Sequence, residues 1–410
     1  MKFWNRNYTM VVIGQIVSLF ANNILHFALT LYILDITGSG ATYGFFTAIS
    51  MVPTILFMPF GGVLADRVNK KKIMVSMDIL TGFVVLTAAP LLSTSTPVRF
   101  IVPLLVVLSI IEAFYTPCVQ ASIPFLQEPD NLVKGNAIIN QIASAANITG
   151  AVLGGVLYGI TGIKPILIGS VVCFMASAVM EIFIVIPHVK PESSVTGIFN
   201  IVKADIKDAF RFIRIEQQNI LRLIPSIAVL NFAVTSMLTV AVPFLTRITL
   251  GLSSSLYGLA TGLISGAGVL GGFIAAMMSG KIKTKSLYKV LILIGLLIIP
   301  IGIGFWVSDN TMMLYALIIV CLMVAEICAS IFSIFTVTAI ELKTPSNLLG
   351  KVMSFIVTIG ICAEPLGRGV YGVAFEIFKN DVWIVLLVTA IFVIAFSLPT
   401  KKPLRELGSE

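Results

Sequence analysis

Charge is scarce in this sequence. Asp, Glu, Lys and Arg make up 11% of its 410 residues, against 58% hydrophobic, and its mean hydropathy is +1.03. A domain that folds in water carries about 25% charged residues, so a soluble globular fold is excluded. The sequence also lacks a G-x-x-x-x-G-K-[ST] phosphate loop, an H-E-x-x-H pair and a G-x-S-x-G elbow. Their absence argues against an ATP-driven pump and against the common hydrolases. No catalytic residue, cofactor or metal cluster is expected. Cys118, Cys173, Cys321, Cys328 and Cys362 all fall in apolar segments without C-x-x-C spacing. They read as small buried hydrophobes. Strict alternation of apolar and polar residues is missing too, which removes a transmembrane barrel and leaves helices with lipid as their solvent.

Long apolar runs are what the sequence does have. They lie at 8–34, 42–64, 73–93, 98–124, 136–162, 165–187, 219–246, 255–279, 287–307, 311–339, 351–376 and 381–399. Twelve such runs predict twelve membrane-spanning helices. With the N-terminus inside, the inner segments carry 22 Lys and Arg and the outer ones 4, while Arg368 lies within a span. That bias predicts a multi-pass protein of the cell inner (plasma) membrane with both termini cytoplasmic. The first run is too long for a signal-peptide core and reads as a retained span. The net charge of +8 sits in short loops between spans, so nucleic acid is not an expected partner. The bilayer is one, and a monomer is expected.

The hydrophilic stretch 188–218 divides the chain into bundles at 1–187 and 219–410. In it Phe199, Val202, Ile206, Phe210 and Ile213 share one helical stripe, displaced from Lys203, Lys207, Arg211 and Arg214. This predicts an amphipathic helix on the inner leaflet, with a solvated linker as the alternative. The halves repeat at an offset near 214. Residues 42–73 align without gaps to 256–287, placing Tyr43-Gly44 on Tyr257-Gly258, and Glu112 falls on Glu326. GGVLYG at 154–159 meets GRGVYG at 367–372. The expected fold is therefore all-α, two pseudo-symmetric six-helix bundles with a site between them.

Glu112, Glu326, Glu364 and Arg368 lie near mid-span, where a charge costs several kcal/mol unless it faces a cavity or a partner. Polar residues at spacings of three and four form stripes: Gln15, Ser18, Asn22 and His26 in span one, Ser109, Glu112, Thr116 and Gln120 in span four, Asn231, Thr235 and Thr239 in span seven, Glu326, Ser330, Ser333 and Thr336 in span ten. Asn23 neighbours the first stripe. These stripes predict a wet, amphiphilic cavity. Asn22, Asn23, His26, Glu112, Asn231, Glu326, Glu364 and Arg368 are the candidate substrate-binding residues, and Glu112, Glu326 and Glu364 the candidate proton carriers. Glu112 and Glu326 can instead hold helices together as protonated donors. Glu364 and Arg368, one turn apart, read equally as a structural pair. Asp78 and Glu181, nearer the inner ends of spans three and six, read as gate or structural charges. Gly150, Gly154, Gly155 and Gly159 in span five, and Gly258, Gly262, Gly266, Gly268 and Gly272 in span eight, mark close helix approach.

The most specific motif is Gly62-Val63-Leu64-Ala65-Asp66-Arg67-Val68-Asn69-Lys70-Lys71-Lys72. It resembles the signature loop of the major facilitator superfamily, G-x-x-x-D-R-x-G-R-K, with Asn69 in place of the second glycine. Because Asn tolerates a left-handed backbone, the turn is expected to survive. The resemblance implies that Gly62, Asp66, Arg67, Lys70 and Lys71 gate the cytoplasmic side. DRVNKKKIMVSMD at 66–78, AFYTPCVQASIPFL at 113–126 and LGKVMSF at 349–355 look like the drug:proton antiporter branch that holds macrolide efflux proteins. Two departures stand out. Span four has no arginine, and span five reads Gly150-Ala151-Val152-Leu153-Gly154-Gly155 without the branch's proline.

The resemblance implies a secondary transporter that exports amphipathic or cationic small molecules in exchange for protons. A transporter of lipids, lysophospholipids or siderophores is the alternative within the same fold. A membrane sensor or scaffold that moves no ligand is the alternative outside it.

Overall fold

The computed structural model describes residues 3–92, 100–128, 131–186, 198–278, 284–345 and 348–407. Within its helices the side chains of residues 63, 66, 67, 133, 198–205 and 407 fall outside that description. The helices are α1 (Arg6–Thr37), α2 (Gly40–Arg67), α3 (Lys70–Ala88), α4 (Ile101–Leu126), α5 (Leu132–Thr161), α6 (Ile163–Ile182), α7 (Ile198–Ile215), α8 (Gln218–Thr249), α9 (Ser254–Met277), α10 (Leu287–Val307), α11 (Thr311–Leu342), α12 (Leu349–Ile377), α13 (Val382–Ser397) and α14 (Lys401–Leu407). Among the described residues there is no strand. By length and composition, 10 of these helices can cross a membrane. The other two spans are α3, whose 19 residues include Lys70, Lys71, Lys72 and Asp78, and α13, which has 16 residues. The fold is all-helical with twelve spans. Outward-facing apolar residues such as Phe83, Val172, Leu366 and Ile391 are more than half exposed, as lipid-facing positions should be.

Local sequence explains the breaks between helices. Gly162, at φ 73°, is the single residue between α5 and α6. Only glycine adopts that backbone without strain. Asn310 caps α11, its side chain accepting from the Met313 amide at 3.0 Å. Asn69 does not take the left-handed conformation expected of it. It is extended, at φ −62° and ψ 109°, and caps α3 by accepting from the Lys72 amide at 3.3 Å. The loop survives because Asn is a strong N-cap, not because it mimics glycine.

α8 departs from the single regular span expected at 219–246. It widens into π turns at Leu230–Thr235 and Phe244–Thr249, with Pro225 and Pro243 inside the helix. Such bulges release backbone groups and concentrate at functional positions. Asn231 lies in the first.

The chain divides into two compact units. Unit 1 holds Met1–Thr37, Ile49–Ile198 and Ser253–Gly262; unit 2 holds Gly38–Ala48, Phe199–Leu252 and Leu263–Glu410. In unit 1, Tyr8, Met74, Cys118, Ile123 and Ile184 form a buried core, and the Tyr8 hydroxyl donates to the Gly135 carbonyl at 2.9 Å. There too α5 meets the start of α9: a Cβ on Gly155 would lie 2.6 Å from the Ser254 carbonyl oxygen and 2.9 Å from Gly258 Cα. In unit 2 the start of α2 meets α12 in the same manner, and a Cβ on Gly372 would lie 2.7 Å from the Gly40 carbonyl oxygen and 3.1 Å from Gly44 Cα. Gly44 and Gly258 are the positions the internal repeat aligns. Each unit thus contains one copy of the same glycine seam.

α7 forms within the predicted linker, and its apolar residues divide between buried and exposed positions. Ala209, Phe212 and Ile213 are buried, while Ile206 and Phe210 remain exposed. Phe199, Val202 and Lys203 lie outside the described side chains. In unit 2, Lys351 of α12 donates to Asp208 Oδ2 at 2.7 Å, and the Phe210 and Phe355 rings lie 6.2 Å apart.

Candidate functional site

Unit 1 contains a narrow cavity with about 30 Å³ of room for water-sized molecules between α1, α3, α4 and α6, lined by Ser18, Asn22, Asp78, Glu112, Tyr115 and Thr116 among others. Two of the predicted residues, Asn22 and Glu112, open into it. His26, one turn beyond Asn22, lies within electrostatic range of Glu112, and its Nε2 is buried without a hydrogen-bond partner. Asn23 faces elsewhere. Its amide donates to the Leu19 carbonyl at 2.8 Å, and its Cβ lies against Gly150 of α5. Asn23 therefore belongs to the α1–α5 packing, and the structure does not bring it to the cavity.

The lower part of the span-one stripe also serves a different purpose from the one expected. Gln15 and Ser18 are almost fully buried. The Gln15 amide donates to the Tyr115 hydroxyl at 2.5 Å, and Ser18 donates to Asp78 Oδ1 at 3.1 Å. Tyr115 in turn donates to Glu181 Oε1 at 2.9 Å. Asp78 and Glu181, expected as gate or structural charges near the inner ends of their spans, are both buried and within electrostatic range of one another, Asp78 held by Ser18 and Glu181 by Tyr115. That pairing was not visible in the sequence because it depends on α3, α4 and α6 being neighbours. The repeat of a lone acid in each of two otherwise apolar spans was the available signal.

Unit 2 contains a second cavity with about 180 Å³ of room for water-sized molecules, lined by Asn231 of α8, Phe332, Ser333 and Thr336 of α11, and Gly360 of α12, with aliphatic residues around them. Asn231 donates to the Ile227 carbonyl at 3.0 Å. Thr336 is buried with an unpartnered hydroxyl. Glu326 lies on α11 against α9, where a Cβ on Gly268 would be 3.2 Å from its Oε1. The Ser330 hydroxyl donates to the Gly268 carbonyl at 2.9 Å. Gly268 is thus the space that admits the Glu326 side chain.

Glu364 and Arg368 form the pair their spacing predicted. Arg368 Nη2 donates to Glu364 Oε1 at 2.5 Å, and Nη1 reaches the Thr47 carbonyl at 3.4 Å. The two side chains are 11% and 16% exposed, and Arg368 Nε is buried without a partner. Ser236 donates to the Glu364 carbonyl at 2.9 Å, fixing α8 to α12. Neither charge stands alone.

Among the predicted gating residues, Gly62 faces open space, and the side chains of Asp66 and Arg67 lie outside the described residues. Lys70 is buried, with Nζ 4.5 Å from the centre of the Phe125 ring. That cation–π contact was not anticipated. Cys362 is exposed, contrary to the expectation that every cysteine is buried. Among the described residues no group of three or more His, Cys, Asp or Glu is placed to hold a metal.

A twelve-span helical chain, duplicated in sequence, with Asp78 and Glu112 lining a cavity in unit 1, has the anatomy of a transporter. The family model of the Major Facilitator Superfamily matches residues 11–367. The chain belongs to the Major Facilitator Superfamily. It is a multi-pass membrane transporter and not an enzyme. Macrolide efflux protein A of Streptococcus pyogenes is 28% identical over 186 residues, which is 44% of this chain and 45% of that protein. The alignment therefore spans about half of that relative's length. The uncharacterized MFS-type transporter YkuC of Bacillus subtilis is 25% identical over 311 residues, 73% of this chain and 71% of its own. Among solved structures, the bacterial homolog of the human lysosomal transporter Spinster, inward-facing and unoccupied, superposes with TM-score 0.74 at 13% identity, covering 100% of this chain and 99% of the other. The nucleoside transporter NupG does so with TM-score 0.73 at 14% identity, covering 98% and 99%. At these identities the two superfamily structures speak for the fold alone.

Proposed function

We propose that this transporter exports amphipathic, cationic small molecules in exchange for protons, by alternating access of two six-helix halves at 1–187 and 219–410. The single observation that carries the reading is Glu112, a carboxyl group lining the unit 1 cavity with no described ion-pair partner and with half-buried His26 within electrostatic range. An ionised carboxylate in a partly desolvated pocket attracts a lipophilic cation, and protonation removes that attraction. Binding of solute and proton is then mutually exclusive, which is the minimal requirement for antiport. Glu326 is the corresponding acid of unit 2 by the internal repeat. The named macrolide efflux relative supports the substrate class, as does the amphiphilic lining of both cavities.

The lipid, lysophospholipid or siderophore alternative needs a cation to hold a phosphate or carboxylate. Arg368 is the candidate, but it is already engaged by Glu364. Arg368→Gln should cripple transport of an anionic solute and spare export of a cation. Uptake and efflux in proteoliposomes with one probe of each charge would separate the two.

A further inference from the structure

We infer that Asp78 and Glu181 form a second, exchangeable proton site in unit 1, distinct from Glu112 and opening to the same cavity through Tyr115. Four helices contribute. Asp78 comes from α3, Tyr115 from α4, Glu181 from α6, and Gln15 and Ser18 from α1. Asp78 is 3% exposed and Glu181 1% exposed. Each carboxyl group has one oxygen that accepts from a hydroxyl, Ser18 for Asp78 and Tyr115 for Glu181. The other oxygens, Asp78 Oδ2 and Glu181 Oε2, are buried without a hydrogen-bond partner, the neighbouring Ser177 hydroxyl donating to the Gly14 carbonyl at 3.3 Å instead.

Two ionised carboxylates in such a place would be like charges interacting in a dry interior with no cation to offset them. Among the described residues, the ionisable and polar groups that face the pair are Tyr115, Ser18, Gln15 and Ser177, with Glu112 one turn along α4 and His26 beyond it. None of these is a lysine or arginine. Among the described residues no group of three or more His, Cys, Asp or Glu is placed here to hold a metal ion. A proton is the neutralising ion that fits, and the unpartnered oxygen of one carboxyl group or the other is where it sits. Both Asp78 and Tyr115 line the cavity, so a water there can take the proton. The carboxyl O–H bond breaks, its electron pair stays on the carboxylate, and the proton leaves on water. The site is independent of which solute is moved.

Infrared difference spectroscopy of the full-length protein in lipid bilayers, stepped in pH without any solute, tests this. The readout is the C=O stretch of protonated carboxyl groups. The wild-type band should lose intensity as the pH is raised, as the protons leave. Part of it should be lost in Asp78→Asn and in Glu181→Gln, and the same part lost only once in the double variant. Tyr115→Phe should shift the band, because it removes the donor to Glu181. Retained secondary structure by circular dichroism qualifies each variant. A band component identical in wild type and both single variants would overturn the proposal. So would a component that never titrates, which would mark a static hydrogen-bonded pair, or one abolished by Na⁺ at constant pH, which would mark a metal-ion site. Failure of cation export would leave this measurement unaffected.

Discussion

At the scale of single residues, the buried polar groups of this transporter fall into two kinds. Asp78, Glu181, Glu364 and Arg368 are tied into hydrogen-bonded networks. Glu112 has no described ion-pair partner and lines the unit 1 cavity, as Asp78 also does. The first kind should reveal itself through stability. Removing one partner of a buried ion pair leaves an uncompensated charge and costs about 3–5 kcal/mol. Arg368→Met should therefore lower the unfolding midpoint of the purified protein substantially, and Glu364→Gln combined with Arg368→Met should recover a large part of the loss. Thermal unfolding in detergent, followed by fluorescence, checks both; equal loss in the single and double variants would mean the pair contributes nothing as a pair. The pair itself was legible from the i, i+4 spacing of Glu364 and Arg368. The Asp78–Glu181 network was not, because its members are about 100 residues apart in sequence and meet only through tertiary packing of helices.

At the scale of elements, helix existence followed directly from apolar run length, and most boundaries fell within a few residues. What run length does not encode is where backbone hydrogen bonding changes. The π turns of α8 and the capping role of Asn69 depend on local geometry that hydropathy ignores. The glycine seams, by contrast, were written in the repeat. Gly258→Val places side-chain atoms where a Cβ alone would already lie 2.6 Å from the Ala151 carbonyl oxygen. Backbone cannot yield as a flexible side chain can, so a loss of about 1–3 kcal/mol or more is expected. Gly44→Val should cost a similar amount in unit 2, measured by the same thermal assay, whereas Gly62→Val, facing open space, should cost little.

The contact between α7 and α12 has a definite pH dependence. The hydrogen bond and charge of Lys351, helped by Arg211 and Lys207, hold the Asp208 carboxyl below the usual aspartate range. A carboxylate depressed in the folded state contributes its stabilisation above the ordinary aspartate value of about 4, and that contribution is lost as pH falls through the lower folded value. A spin-label distance between α7 and α12 should therefore stay constant from pH 8 to about 5 and broaden only in more acidic solution. Asp208→Asn should broaden it at every pH. Because both side chains are solvent-accessible, the effect should also weaken in high salt.

At the scale of the whole molecule, the distribution of Lys and Arg predicts that both termini face the cytoplasm. An epitope at either end should be cleaved by protease in everted vesicles and protected in intact cells; the opposite pattern would invert the topology. The duplicated sequence accounts for much of the rest. It foretold an all-helical chain of twelve spans and close helix approach at the equivalent glycines 44 and 258. It did not foretell that each half would hold its own cavity, or that the polar residues of span one would divide between a cavity wall and a buried network. Those outcomes depend on which helices become neighbours, and a one-dimensional polar stripe does not specify its partner.

The central claim is that solute export is driven by proton exchange at cavity acids. It is tested most directly by efflux of a fluorescent lipophilic cation from proteoliposomes with and without a pH gradient, in wild type and in Glu112→Gln, Glu326→Gln and Glu364→Gln. Wild type should show gradient-dependent efflux, and Glu112→Gln should fall to the level seen without a gradient. If wild type moves no cation under either condition while a lysophospholipid or an anionic solute is moved, proton-coupled cation export is contradicted.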